Sequence, residues 1–214
     1  MPFQSTTEIL SGDKIGTIPK KGMVLNMKST KNIALAGIII ALIALMAFVP
    51  MIGFINVPPV AITLIHVPVI IGTITMRDYK YALIFGLSFG LFSFIVNSYT
   101  PSLTQPLFFN PMVSIVPRLF VGIFTLTAYN IIYNAFKNIT VAAIFGAVAG
   151  TLTNTILVIT SMSVFGQSTF ADGFLSAVKY VVTINGSLEI IVAVILVPII
   201  ARALIKYREK TGGA

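Results

Sequence analysis

Phe108-Phe109-Asn110-Pro111-Met112-Val113-Ser114-Ile115-Val116-Pro117-Arg118 carries an uncharged loop into an apolar helix that holds an arginine. A lone arginine well inside a hydrophobic span costs about 2.5–3.5 kcal/mol on insertion scales, so a partner or a ligand must recover that cost. The apolar run continues from Pro111 to Tyr133, long enough to cross a hydrocarbon core about 30 Å thick. The stretch therefore reads as the entry to a membrane span with a charge inside it.

Five more apolar segments lie on either side. They are Asn32 to Val49, Val60 to Met76, Tyr81 to Ser98, Val141 to Val164, and a last one that begins between Leu175 and Gly186 and ends near Leu204. Pro59 and Pro111 stand where the second and fourth should begin, a position proline tolerates because the first turn lacks N–H partners anyway. Of the 214 residues, 57% are hydrophobic and 9% charged, against about 25% charged in soluble domains. The expected fold is an all-α integral membrane protein, a six-helix transmembrane bundle. Cysteine is absent and His66 is the single histidine, which excludes disulfides, thiolate chemistry and a multi-histidine metal site.

The net charge of +8 belongs to tails and short loops. Lys14, Lys20, Lys21, Lys28 and Lys31 precede the first span, Arg77 and Lys80 join the second to the third, and Lys137 joins the fourth to the fifth. Arg202, Lys206, Arg208 and Lys210 follow the sixth; only Arg118 and Lys179 fall elsewhere. The positive-inside rule then places both termini in the cytoplasm of a cell membrane protein, with lipid and not nucleic acid as the partner of the charge. Three divisions follow: a polar basic cytoplasmic leader over 1–31, the six-span domain over 32–207 and a cytoplasmic tail over 208–214. The opposite loops, Pro50 to Pro59 and Tyr99 to Asn110, are apolar and proline-rich. They suit a lid over a cavity, or interfacial loops with aromatics at headgroup level.

Polar residues inside spans face the bundle interior or a wet cavity. Ser114, Arg118, Gly122, Thr125 and Tyr129 recur at spacings of four, four, three and four, which is one helix face. Asn185 and Glu189 lie one turn apart on the sixth span, Thr63 and His66 are on the second, Thr151, Asn154 and Thr155 on the fifth, and Asn97 near the outer end of the third. At about 1.5 Å per residue, Arg118 and His66 lie roughly 10 Å below the outer ends of their spans and Asn154 roughly 15 Å. Such a belt suggests an outward-opening pocket with a cation available for an anionic solute. The competing reading is an Arg118–Glu189 ion pair without a ligand, and for His66 a satisfied core histidine. Gly86-x-x-x-Gly90 and Gly146-x-x-x-Gly150 permit close helix contact. Gly37, Ala41 and Ala44 form a smooth ridge on the first span, suited to docking another helix or to packing within the bundle. Neither a Walker A loop, an H-E-x-x-H pair nor a G-x-S-x-G elbow occurs, so the expectation is no enzyme.

Three segments resemble the substrate-binding S components of energy-coupling factor (ECF) vitamin transporters, and among them the pantothenate-specific members. These are Ile62-Thr63-Leu64-Ile65-His66-Val67-Pro68-Val69-Ile70-Ile71-Gly72, then Phe109-Asn110-Pro111 through Pro117-Arg118-Leu119-Phe120-Val121-Gly122, and Asn185-Gly186-Ser187-Leu188-Glu189. The resemblance implies a vitamin captured at the outer face and delivered inward after docking on a transmembrane coupling subunit, with two cytoplasmic ATPases as further partners. ATP is then used by those partners, and no cofactor is expected here. For pantothenate it implies Arg118 on the carboxylate, Asn154 and Asn185 on the amide or hydroxyls, and Phe109 over the apolar end, within a site that also holds Thr63, His66, Asn97, Asn110, Ser114 and Glu189. The family docks through an A-x-x-x-A pattern on its first span, here Gly37-x-x-x-Ala41. Alternatives are an S component for folate, a pyridoxine-like compound or a pyrimidine precursor, and a structural or assembly membrane protein without a solute.

Overall fold

A computed structural model describes residues 21–57, 60–99, 105–165 and 172–210. The elements, in chain order, are α1 (Lys21–Phe48), α2 (Pro50–Gly53), β1 (Phe54–Val57), β2 (Val60–Thr63), α3 (His66–Met76), α4 (Tyr79–Tyr99), α5 (Gln105–Phe108), α6 (Pro111–Ser114), α7 (Val116–Phe136), α8 (Ile139–Phe165) and α9 (Asp172–Lys210). Among the described residues, five helical stretches are long and apolar enough to cross a membrane: Thr30–Phe48, Tyr79–Tyr99, Pro111–Phe136, Ile139–Phe165 and Thr183–Lys210. Lys21–Lys31 of the expected leader is helix continuous with the first span, and residues 1–20 lie outside the described part.

The second expected span is where the fold departs from the all-helical reading. Val60–Thr63 is not helix but strand β2, paired antiparallel with β1 in the register Phe54↔Thr63, Ile55↔Ile62, Asn56↔Ala61 and Val57↔Val60. The Leu64 N–H extends the pairing to the Gly53 carbonyl at 2.8 Å. The cause is local: β-branched residues on both sides of Pro58-Pro59 favour extended backbone, and a residue before proline is pushed from the helical region. A hairpin among apolar helices is tolerable because its strands pair with each other and β2 packs on α9. α3 keeps only 11 residues, about 16 Å of helix, too short to cross a bilayer alone.

α3 instead becomes the centre of the bundle. All its residues are buried, and it packs against α1, α4, α7, α8 and α9. Ile70 and Ile74 meet Phe85, Val121, Tyr129 and Ala143 in one apolar core. The helix stops at Arg77, which adopts a left-handed conformation (φ 52°) and sends its N–H to the Thr73 carbonyl. Tertiary contacts hold that uncommon conformation. The guanidinium donates to the Tyr129 hydroxyl at 2.6 Å and lies over the rings of Tyr129 and Tyr133. Lys137 ends α7 in the same way at φ 52°. At this basic end Arg208 donates to the Thr75 carbonyl and, at 2.9 Å, to Asn32, tying α9 to α3 and α1.

The small-residue motif Gly86-x-x-x-Gly90 is the contact of α4 with α6 and α7. A Cβ on Gly86 would stand 2.6 Å from the Arg118 carbonyl oxygen, and one on Gly90 2.9 Å from the Ile115 Cα. Gly122 answers from α7, where a Cβ would run into the Ala82 carbonyl. Backbones this close leave no room for any side chain, and they lock the segment that carries Arg118. Gly150 on α8 makes the corresponding approach to Thr125 and Ile70.

Candidate functional site

The segment from Phe108 to Arg118 is a broken helix, and each break has a polar partner. Asn110 caps α6, its side-chain oxygen accepting from the Met112 N–H at 3.0 Å. Ser114 is buried and donates its hydroxyl to the Phe108 carbonyl, which pins the end of α5 over α6. Pro117 has no N–H, so the Val113 carbonyl one turn earlier has no helical partner. The Arg118 guanidinium takes that place, donating from Nη1 to Val113. Its cationic carbon also lies 5.3 Å from the centre of the Phe108 ring and 5.7 Å from that of Phe89, within the range of cation–π attraction. The arginine is 6% exposed, and its Nε has no hydrogen-bond partner among the described residues.

Arg118 borders a cavity shared with Thr63, Phe108, Asn154, Thr155, Val158, Asn185 and Glu189. Its volume is about 110 Å³, several times the roughly 10–15 Å³ that admits one water. Five elements converge here: β2, α5, α7, α8 and α9. Glu189 does not close on Arg118. Among the described residues no ion pair joins them; Glu189 accepts instead from the Thr63 N–H at 2.8 Å, so that α9 holds the last residue of the hairpin. Asn154 and Asn185 each present a side-chain oxygen with no partner among the described residues. Buried polar groups are normally paired, and three residues that line one cavity while each carries an unpaired polar atom mark capacity for a polar guest. The lining thus offers a cation, a carboxylate and two amides, with Phe108 and Val158 as apolar members.

A second hollow, of about 650 Å³, lies along Ala203, Lys206, Tyr207, Glu209 and Lys210. All five residues are exposed on the end of α9, so it is open surface and not a chamber.

Of the residues singled out in the sequence, Arg118, Asn154, Thr155, Asn185, Glu189 and Thr63 come together around the cavity. The others stand elsewhere. His66 is fully buried at the start of α3, and neither ring nitrogen has a hydrogen-bond partner among the described residues. Asn110 and Ser114 shape the wall as a cap and a pin. Asn97 donates to the Ser93 carbonyl in its own helix at 2.7 Å. Phe109 is 49% exposed, and Phe108 is the aromatic that lines the cavity. The difference is the turn of α5, which points one of two adjacent rings inward; no sequence period distinguishes them. Val158, one turn from Asn154 on the same helix, was not singled out, although the same periodicity reaches it. On α1, Gly37 has nothing within 4 Å of a built Cβ, Ala41 is exposed, and Ala44 is partly buried. Ile38 and Leu42 are exposed beside them.

A buried polar chamber at one end of an apolar bundle is the build of a membrane protein that binds a small solute. The chain belongs to the family of substrate-specific components of ECF transporters, whose model matches residues 31–201. It is also 36% identical, over 167 residues, to the pantothenic acid transporter PanT of Lactococcus lactis subsp. cremoris (strain MG1363). That alignment covers 72% of this chain and 82% of the relative.

Proposed function

We propose that the cavity binds pantothenate and that the chain is the vitamin-capturing subunit of an ECF importer. The observation that carries the reading is Arg118, a buried guanidinium facing a chamber with Nε unpaired and no carboxylate of the protein on it among the described residues. A carboxylate is the group that recovers the cost of such a cation, since charge-assisted bonds are about twice as strong as neutral ones. Pantothenate adds an amide and two hydroxyls, which suit Asn154, Asn185 and Thr155, and a gem-dimethyl group, which suits Phe108 and Val158. The name of the Lactococcus relative supports the same solute.

In this reading both termini face the cytoplasm, the hairpin and α5 face outward, and the exposed Gly37–Ala41 face of α1 docks on a transmembrane coupling subunit driven by two ATPases. The charge distribution supports the orientation, because Arg77, Lys137 and Arg208 share one end. The test is calorimetric titration of the purified chain with pantothenate and a panel of other vitamins. Saturable binding of pantothenate is expected, and Arg118→Ala is expected to abolish it in a chain that still folds, with a melting temperature lowered by the loss of the bond to Val113. Binding of a different vitamin, or undiminished binding by the Arg118→Ala chain, rejects the assignment.

A further inference from the structure

Nothing in the chemistry of a solute requires a proline next to its arginine, yet Pro117 determines where Arg118 can go. In an unbroken helix the residue at 117 would donate its N–H to the Val113 carbonyl. Proline has no N–H, and its ring crowds that same carbonyl, so the helix breaks between α6 and α7 at Ile115. A buried carbonyl without a donor is costly, and the Arg118 Nη1 supplies the donor. One end of the guanidinium is thereby held on the protein's own backbone, between the rings of Phe89 and Phe108. Arg118 borders the cavity, and its Nε has no hydrogen-bond partner among the described residues.

We infer that Pro117 is a positioning residue for solute selectivity: by denying Val113 its helical partner, it clamps the Arg118 guanidinium in the attitude that receives an anionic group. The inference rests on Arg118 as the carboxylate anchor. Alanine at 117 restores the N–H, which competes for Val113. The guanidinium is then released from its clamp, and the chamber loses its preference for an acid over a neutral solute of the same shape. The helix itself gains a hydrogen bond and is not weakened.

The experiment compares affinities of the purified full chain for pantothenate and for its neutral alcohol analogue, in which a hydroxymethyl group replaces the carboxylate. Three variants are measured: Pro117→Ala, replacement of Pro117 by lactic acid through nonsense suppression, and Arg118→Gln. Lactic acid makes an ester link that has alanine's side chain but no N–H. Pro117→Ala is expected to weaken pantothenate binding by about tenfold, the worth of a bond to a charged group, and to leave the alcohol nearly unchanged. The lactic acid chain is expected to keep the wild-type ratio. An unchanged ratio in Pro117→Ala overturns the inference, as does an equal loss for both solutes, a lactic acid chain that behaves like alanine, or a Pro117→Ala chain that fails to fold. If Arg118→Gln leaves the ratio intact, the anchor reading itself fails; if Arg118→Gln loses the ratio and Pro117→Ala keeps it, only the role of Pro117 fails.

Discussion

Glu189 is the residue whose surroundings differ most from the simplest expectation. An acid and an arginine in neighbouring apolar helices invite an ion pair, yet the carboxylate is engaged by the Thr63 N–H, 126 positions away in sequence. Its work in the fold is to hold the hairpin to α9. A glutamine keeps an oxygen that can accept the same N–H, whereas leucine leaves it unpaired. Glu189→Leu is therefore expected to destabilise the chain by about 1.5–3 kcal/mol, the range for hydrogen bonds to charged groups, and Glu189→Gln by clearly less. Thermal unfolding of both variants in the same detergent checks the order. Equal losses would show that the charge, and not the acceptor, is what matters. Asn154 and Asn185 were evident as candidates because an amide in an apolar span is conspicuous. That both line one chamber, each with an unpartnered oxygen, could not be read from either helix alone.

Among the elements, the pair α4 and α7 sets the precision of the site. Gly86, Gly90 and Gly122 bring the backbones within contact of each other, and the Arg118 carbonyl is one of the atoms that Gly86 admits. A side chain here meets backbone, which cannot rotate away. Gly122→Val is expected to cost about 1–3 kcal/mol or more through overpacking and to weaken solute binding by displacing Arg118. Melting and titration on the same preparation test the coupling: a chain that is destabilised but binds normally would show that the contact does not position the arginine. The two G-x-x-x-G motifs were legible as close-packing signals, although their partners were not. The hairpin was less legible. Val60 to Met76 has the length and apolarity of a span, and hydropathy cannot separate a strand followed by a short helix from one continuous helix. Pairing with Phe54–Val57 decides it.

At the scale of the whole molecule, the described helices wrap the buried α3 and leave one face of α1 unpartnered around Gly37 and Ala41. In the proposed importer that face meets the coupling subunit and plays no part in capture. Gly37→Leu is accordingly expected to leave pantothenate binding by the purified chain unchanged, because the site is built from β2, α5, α7, α8 and α9. Uptake by cells that supply the coupling subunit and ATPases is expected to fall. Loss of binding in the isolated chain would place this face inside the solute site and contradict the division.

The sequence by itself determined that this is an apolar bundle with basic residues gathered in tails and connecting loops. Six stretches were read as long enough to cross a membrane, and five of them are helices of that length among the described residues, because spanning depends on local length and composition, which need no partner. It also determined which buried polar residues demand an explanation, Arg118 first, since an intramembrane charge is costly in any arrangement. The tertiary structure alone decided how those demands are met. Val113 is four positions before Pro117, but its orphaned carbonyl is claimed by a side chain, a choice that depends on how α6 and α7 bend against α4. Arg118 and Glu189 share a cavity without closing on each other because the hairpin N–H reaches Glu189 and the Val113 carbonyl holds Arg118. Both competitions are settled by distance in space, which hydrophobic periodicity along the chain does not encode.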